Sequence, residues 1–148
     1  MVAPPPRPQL VARAVIEREG RILLVSEKNA PIGLLNLPGG RVELGETLDA
    51  AIARELAEEL DLIGQTAHYL GLVENKFETP GGLWHTAEHI FHIALGRDAP
   101  HLKEPGMGLH WVEIERLGSV DFRPHQLRDH LSRSREPFLR MLAGGFAV

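Results

Sequence analysis

The chain has no cysteine among its 148 residues. That excludes a disulfide framework, a Cys-ligated zinc site, an iron–sulfur cluster and a cysteine nucleophile. A strong charge bias is missing too: 16 basic against 20 acidic residues leave a net charge of −4. A near-neutral, mildly acidic chain lacks the basic footprint of a duplex-DNA binder. No apolar run approaches the roughly 18 residues that a membrane span needs. The opening stretch, Met1-Val2-Ala3-Pro4-Pro5-Pro6-Arg7-Pro8, has no signal-peptide core. Residues 1–8 read as a mobile polyproline tail, followed by a single domain, 9–148. The cytoplasm is the expected compartment. What is present suffices for a core: the chain is 43% hydrophobic, and a domain of this length buries roughly 68–70% of its unfolded surface.

The element order is legible from breakers and patterning. Leu10 to Ile16 and Arg21 to Val25 flank Glu19-Gly20 and read as a hairpin. Asn29 to Gly33 is a loop, and Leu34 to Leu37 a brief strand ended by Pro38-Gly39-Gly40. Thr47 to Leu60 contains no Gly or Pro and is rich in Ala, Leu and Glu, so a helix capped by Thr47 is expected. Ala67 to Phe77 and Trp84 to Leu95 read as strands around a turn at 79–82, and Leu109 to Ile114 as a last strand. From Pro124 on, Leu127, Leu131, Phe138 and Leu142 are spaced 4, 7 and 4 apart, which predicts a terminal helix kinked at Pro137. The whole predicts an α+β fold, a mixed sheet with a helix on each side.

The helix from Thr47 carries the chemistry. At 100° per residue, Glu58 and Glu59 fall about −60° and +40° from Glu55. Three carboxylates therefore share an arc of roughly 100°, on the side that Leu48, Ala51 and Ile52 occupy one turn earlier. Two like charges about 4 Å apart repel by roughly 4 kcal/mol at an effective dielectric near 20. Arg54 can neutralise one acid. A divalent cation can offset the rest, and hard oxygen donors favour Mg²⁺ or Mn²⁺ over zinc. Helix periodicity alone leaves open a plainer reading, an ordinary Glu-rich surface.

The upstream spacing separates these readings. Gly40 precedes Glu46 by six residues and Glu46 precedes Arg54 by eight, followed by Glu55-Leu56-Ala57-Glu58-Glu59. This stretch, Gly40 to Leu62, resembles the box of the Nudix hydrolase family, Gly-x5-Glu-x7-Arg-Glu-U-x-Glu-Glu-x-Gly-U, where U is bulky and aliphatic. Eight of the nine specified positions match; chance would give this on the order of 10⁻⁸ times per starting position. The exception is Asp61, where the family has the Gly that ends the helix. Asp tolerates a left-handed conformation better than most residues, so a modest stability cost is expected.

The resemblance implies an α/β/α sandwich and hydrolysis of a pyrophosphate bond in a nucleoside diphosphate linked to a further group. It implies Glu58 and Glu59 as metal ligands, Glu55 as ligand or general base, and a backbone carbonyl at Gly39 or Gly40 completing the set. Glu46 and Arg54 become the supporting ion pair. The base can also come from a later loop, where Glu104 is the candidate, beside its reading as a solvated loop acid. Mg²⁺, with Mn²⁺ as substitute, is the implied cofactor, and a nucleotide the implied partner. A small nucleoside triphosphate, oxidised or not, is the expected substrate. ADP-ribose, a nucleotide sugar, a dinucleoside polyphosphate, or binding without cleavage stay open. Weaker candidates for substrate contact are Arg41 and Lys76, with Arg13 and Lys28, as phosphate clamps, and Phe77 and Trp84 for stacking a base. Each also reads as a solvated charge or a packing aromatic. His85 and His89 share a strand face that His92 does not, which argues against zinc. The sequence leaves a homodimer open, through sheet edges or the terminal helix.

Overall fold

The structure, a computed structural model, describes residues 3–144. Residues 1 and 2 of the expected tail and 145–148 of the expected domain lie outside these. The elements run β1 (Gln9–Arg18), β2 (Arg21–Ser26), β3 (Leu34–Leu35), β4 (Gly39–Arg41), α1 (Leu48–Leu60), β5 (His68–Thr79), β6 (Gly82–Ala94), β7 (Gly108–Glu113), a 3-10 helix (Ile114–Ser119), β8 (Asp121–Phe122), α2 (His125–Leu131) and β9 (Arg140–Gly144). The main sheet is mixed, ordered β7-β2-β1-β6-β5-β9, with β4 also paired to β1.

The hairpin β1–β2 pairs only at its tip, Glu17 with Ile22 and Arg18 with Arg21. Beyond the tip the strands part, and residues 36–41 enter the gap. Val25 and Asn36 exchange backbone hydrogen bonds of 2.8 and 2.9 Å on one side, and the Ala14 N–H donates to the Pro38 carbonyl at 2.9 Å on the other. This wedge places Gly40 opposite Ala12 in β4. On its far edge β1 runs parallel to β6. Being central and covered on both faces, β1 reads as a nearly continuous apolar run, which Arg13 interrupts.

Each face of the sheet has its own core. Ala12, Ala14 and Ile16 pack with Phe91 and Ile93 under Ala51, Ile52, Leu56 and Leu60 of α1. Val15, Leu24, Val73 and Ile90 pack with Phe122, Leu127 and Leu131 on the α2 side. Full burial of each such Leu, Ile or Phe contributes roughly 1.5–3 kcal/mol. The expected helix on each side is therefore present.

The C-terminal expectation needs correction. The helix spans only the seven residues His125–Leu131. Pro137 supplies no N–H and restricts Glu136, so the helix has stopped well before it. Phe138 instead donates its N–H to the Leu70 carbonyl at 2.8 Å, and Leu142 lies in β9, parallel to β5. The basic residues of this segment consequently share no helix face: Arg135 meets Glu17 at 3.2 Å and Arg140 meets Glu74 at 3.6 Å. Within the proline-rich start, Pro4 rests against Gly82 in the β5–β6 turn. No helix among the described residues is long and apolar enough to cross a membrane.

Candidate active site

Two consecutive glycines meet two helix carboxylates. The Gly39 N–H donates to Glu59 Oε2 at 3.1 Å. Gly39 has φ of 139°, and a side chain there would strike the Ala12 carbonyl oxygen. Gly40 lies over Glu55: an added Cβ would sit 2.5 Å from Glu55 Oε1. Only bare backbone lets the loop settle on these carboxylates.

The helix itself is built as the sequence predicts. Thr47 accepts the Ala50 N–H at 3.1 Å. Asp61 ends α1 in the left-handed region, at φ 57°, and its N–H donates to the Leu56 carbonyl. Lys103 Nζ lies 3.2 Å from its carboxylate. The last carbonyls of α1 also find partners, Leu60 from the His101 N–H at 2.8 Å and Glu59 from the Lys103 N–H at 3.2 Å.

Arg54 is the hub. Its Nε and Nη2 donate to Glu46 at 2.7 and 2.9 Å, a forked pair. Nη2 also donates to the Arg41 carbonyl at 3.0 Å. Nη1 reaches Glu55 at 2.9 Å and Glu58 at 3.3 Å. The Arg54 hydrogen bond, helped by the Glu43 N–H, holds the Glu46 carboxyl at about 2. Glu46 raises the Arg54 pKa in turn. The pair thus binds the loop before α1 to the helix.

Glu59 behaves oppositely. Burial lifts its carboxyl from 4.5 to about 7 against the Gly39 hydrogen bond, with the Glu55 and Glu27 charges adding to the lift and Arg13 opposing it. A carboxylate so placed is short of positive charge. Oxygen donors of this kind fit Mg²⁺ or Mn²⁺. Among the described residues, no three His, Asp or Glu side chains converge closely enough to enclose an ion as they stand. Arg54 holds Glu55 and Glu58 on one nitrogen, and Glu58 is 61% exposed, with that ion pair alone among the described residues.

The remaining candidates are dispersed. The Gly39 carbonyl accepts from Arg13 Nη1 at 3.3 Å. Arg13 also meets Glu88 at 3.4 Å, so its charge is already paired. Arg41 is exposed, with Gln9 at 3.4 Å. Phe77 and Trp84 stack across the strands, 6.2 Å apart and 3° from parallel. They lie four positions along β6 from Glu88, about 13 Å at strand rise. Lys76 pairs with His85 in the register, the neighbouring pair, so it faces away from Phe77. Glu104 is exposed on its loop, with no hydrogen bond or ion pair among the described residues. His89 bonds Tyr69 at 2.7 Å and His92 bonds Glu17 at 3.0 Å, on opposite faces. Sequence reasoning missed Glu88 and Glu27. A signal existed for Glu88: alternation puts it on the inward face with Ile90.

A family model for the NUDIX domain matches residues 7–140. An 8-oxo-dGTP diphosphatase of Escherichia coli is 29% identical over 118 residues, 77% of this chain and 87% of that protein. An ADP-ribose pyrophosphatase of Methanocaldococcus jannaschii is 40% identical over 76 residues, 51% of this chain and 45% of that protein, so the match spans less than half of that relative. The crystal structure of a MutT Nudix hydrolase from Burkholderia pseudomallei aligns with a TM-score of 0.65 at 31% identity, over 74% of this chain and 85% of that one. The chain belongs to the NUDIX family.

Proposed function

We propose that this protein hydrolyses a pyrophosphate bond in a nucleoside diphosphate derivative, with Mg²⁺ or Mn²⁺. The observation that carries this reading is the seating of Gly39 and Gly40 on the Glu59 and Glu55 carboxylates, with Arg54 and Glu46 locking the loop to the helix. Glu55, Glu58 and Glu59 would hold the cation, with a carbonyl of the glycine loop. When bound, the metal supplies positive charge against the phosphate oxygens and the attacking water. The chain's own part is positioning. Glu55, which lies between Gly40 and Arg54, would serve either as one of these ligands or as the base that takes the water's proton; Glu104 is the alternative base. The glycine loop brings backbone close to the phosphates without side-chain obstruction. Phe77 and Trp84 offer a stacking surface for a base and Arg41 positive charge toward phosphates, whereas Lys76 faces away from Phe77 and would act from the other face of the sheet.

A nucleoside triphosphate, including oxidised purine forms, is the substrate we favour. The 8-oxo-dGTP diphosphatase aligns over most of both chains, which supports it. The shorter but closer match to an ADP-ribose pyrophosphatase supports ADP-ribose as the second reading. A product-resolved screen of nucleotides, nucleotide sugars and dinucleoside polyphosphates with Mg²⁺ and Mn²⁺ decides between them. Glu58→Gln should abolish turnover and leave the thermal midpoint in place. Wild-type rates in EDTA, or no cleavage of any of these compounds, would overturn the reading.

A further inference from the structure

One charged residue interrupts the central strand. Arg13 lies between Val11-Ala12 and Ala14-Val15-Ile16, all buried. A guanidinium in such surroundings is costly unless its donors are met. Nε faces Glu88 Oε1 at 3.4 Å, and Nη1 donates to the Leu37 carbonyl at 3.2 Å and the Gly39 carbonyl at 3.3 Å.

The Gly39 residue links two layers of the fold. Its N–H reaches Glu59, which projects from α1 on one side of the sheet. Its carbonyl accepts from Arg13, whose side chain leaves β1 on the same face as Val15, toward α2. Gly39 can carry no side chain to anchor it. Its N–H is therefore held by a side chain of one layer and its carbonyl by a side chain of the other, next to the Pro38 carbonyl that accepts the Ala14 N–H.

We propose that Arg13 is a positioning residue for the reaction: by holding the Gly39 carbonyl it fixes the two peptide planes that meet at Gly39, and through the Gly39 N–H the Glu59 carboxylate, while Glu88 fixes Arg13. A competing role exists. Arg13 Nη2 has no hydrogen bond among the described residues, so Arg13 could instead grip a substrate phosphate. The two roles differ in what they move. Positioning acts on the Gly39 amide and on metal affinity without substrate; a phosphate grip acts on KM. The proposal rests on the hydrolase reading for its kinetic arm alone.

The test compares wild type with Arg13→Met, Arg13→Lys, Glu88→Gln and the Arg13→Met/Glu88→Gln double variant. Hydrogen exchange of the Gly39 amide is followed by NMR in EDTA, and Mn²⁺ alone is titrated by calorimetry. In Arg13→Met, Gly39 exchange should quicken about 10-fold or more, and Mn²⁺ should bind roughly 10–100-fold more weakly, as expected for groups that orient ligands. The kcat should fall with KM within about 2-fold. Arg13→Lys, able to reach one carbonyl, should recover part of each loss. The double variant should be no worse than Arg13→Met, because Glu88 acts through Arg13. Unchanged Gly39 exchange and Mn²⁺ affinity in Arg13→Met would overturn the proposal, as would a rise in KM alone. If Arg13→Met does not fold, Arg13→Lys and Glu88→Gln carry the same readouts, and wild-type values in both overturn it. If no nucleotide is cleaved, the hydrolase reading fails while the exchange and Mn²⁺ arms still decide the role of Arg13.

Discussion

Glu59→Gln should make the metal-free protein more stable and the enzyme inactive. The Glu59 carboxyl titrates near 4.5 when the chain is unfolded and near 7 when folded. Between these values the unfolded chain gives up its proton and the folded one keeps it. Stability from this group is thus complete below about 4.5 and lost as the pH rises through 7. Each pH unit of difference corresponds to 1.36 kcal/mol, so the loss is roughly 2–3 kcal/mol once the water still reaching the group is allowed for. Gln keeps an oxygen for the Gly39 N–H and removes the charge. In EDTA at pH 8 the variant should melt roughly 4–10 °C above wild type, and the gap should close toward pH 4.5. Mn²⁺ should then raise the wild-type midpoint and leave the variant's nearly unmoved, because a ligand stabilises only what binds it. Calorimetric melting over pH 4–9, with and without Mn²⁺, measures all of this. A variant less stable than wild type at pH 8, or a gap independent of pH, would refute the buried-charge account. Equal Mn²⁺ stabilisation of both proteins would refute Glu59 as a ligand.

Neighbouring glycines should separate fold from function. Gly40→Ala pushes on the movable end of Glu55, so melting should stay within a few degrees of wild type while kcat falls at least about 10-fold; Gly39→Ala meets the fixed Ala12 backbone and should abolish soluble folded protein in the same expression and melting assays. With its carboxyl held at about 2, Glu46 contributes stability that is complete above 4.5 and lost as the pH falls toward 2. Glu46→Gln should flatten that acid limb in a pH-dependent melt and lower kcat more than it raises KM. Asp61→Gly should relieve a left-handed residue at φ 57° and raise stability by about 1 kcal/mol, less whatever the Lys103 contact contributes, with kcat unchanged. A drop in midpoint would show that the ion pair outweighs the backbone strain.

What could be read in the sequence follows from how local each cause is. Helix α1 is set by Thr47, by the absence of Gly and Pro, and by a left-handed stop at Asp61, all within 15 residues. Its carboxylate pattern needs nothing from elsewhere in the chain. The strands of the β5–β6 hairpin are nearly as local, joined at the Pro80-Gly81 turn. The C-terminal segment shows the opposite case. Spacings of 4, 7 and 4 from Leu127 to Leu142 suit a helix, yet Phe138 and Leu142 are half-buried alongside β5, far earlier in the chain: Phe138 hydrogen-bonds Leu70, and Leu142 pairs opposite Glu74 within β9. Pro137 was the local sign that the helix must stop, and it says nothing about where the chain goes next.

The Gly39 anchorage is less local still. Arg13 and Glu88 are 75 residues apart, and no periodicity relates them. Each is nonetheless anomalous alone: a cation inside an apolar run on β1, and an acid two positions before buried Ile90 on β6. A lone charge on an inward face costs several kcal/mol, so two of opposite sign on inward faces are each other's expected partners. Parallel pairing of β1 with β6 sets Arg13 directly beside Ile90, one inward position from Glu88. Once two strands are taken as neighbours, their misplaced charges can therefore fix the register, and the register in turn says which loop those charges can hold.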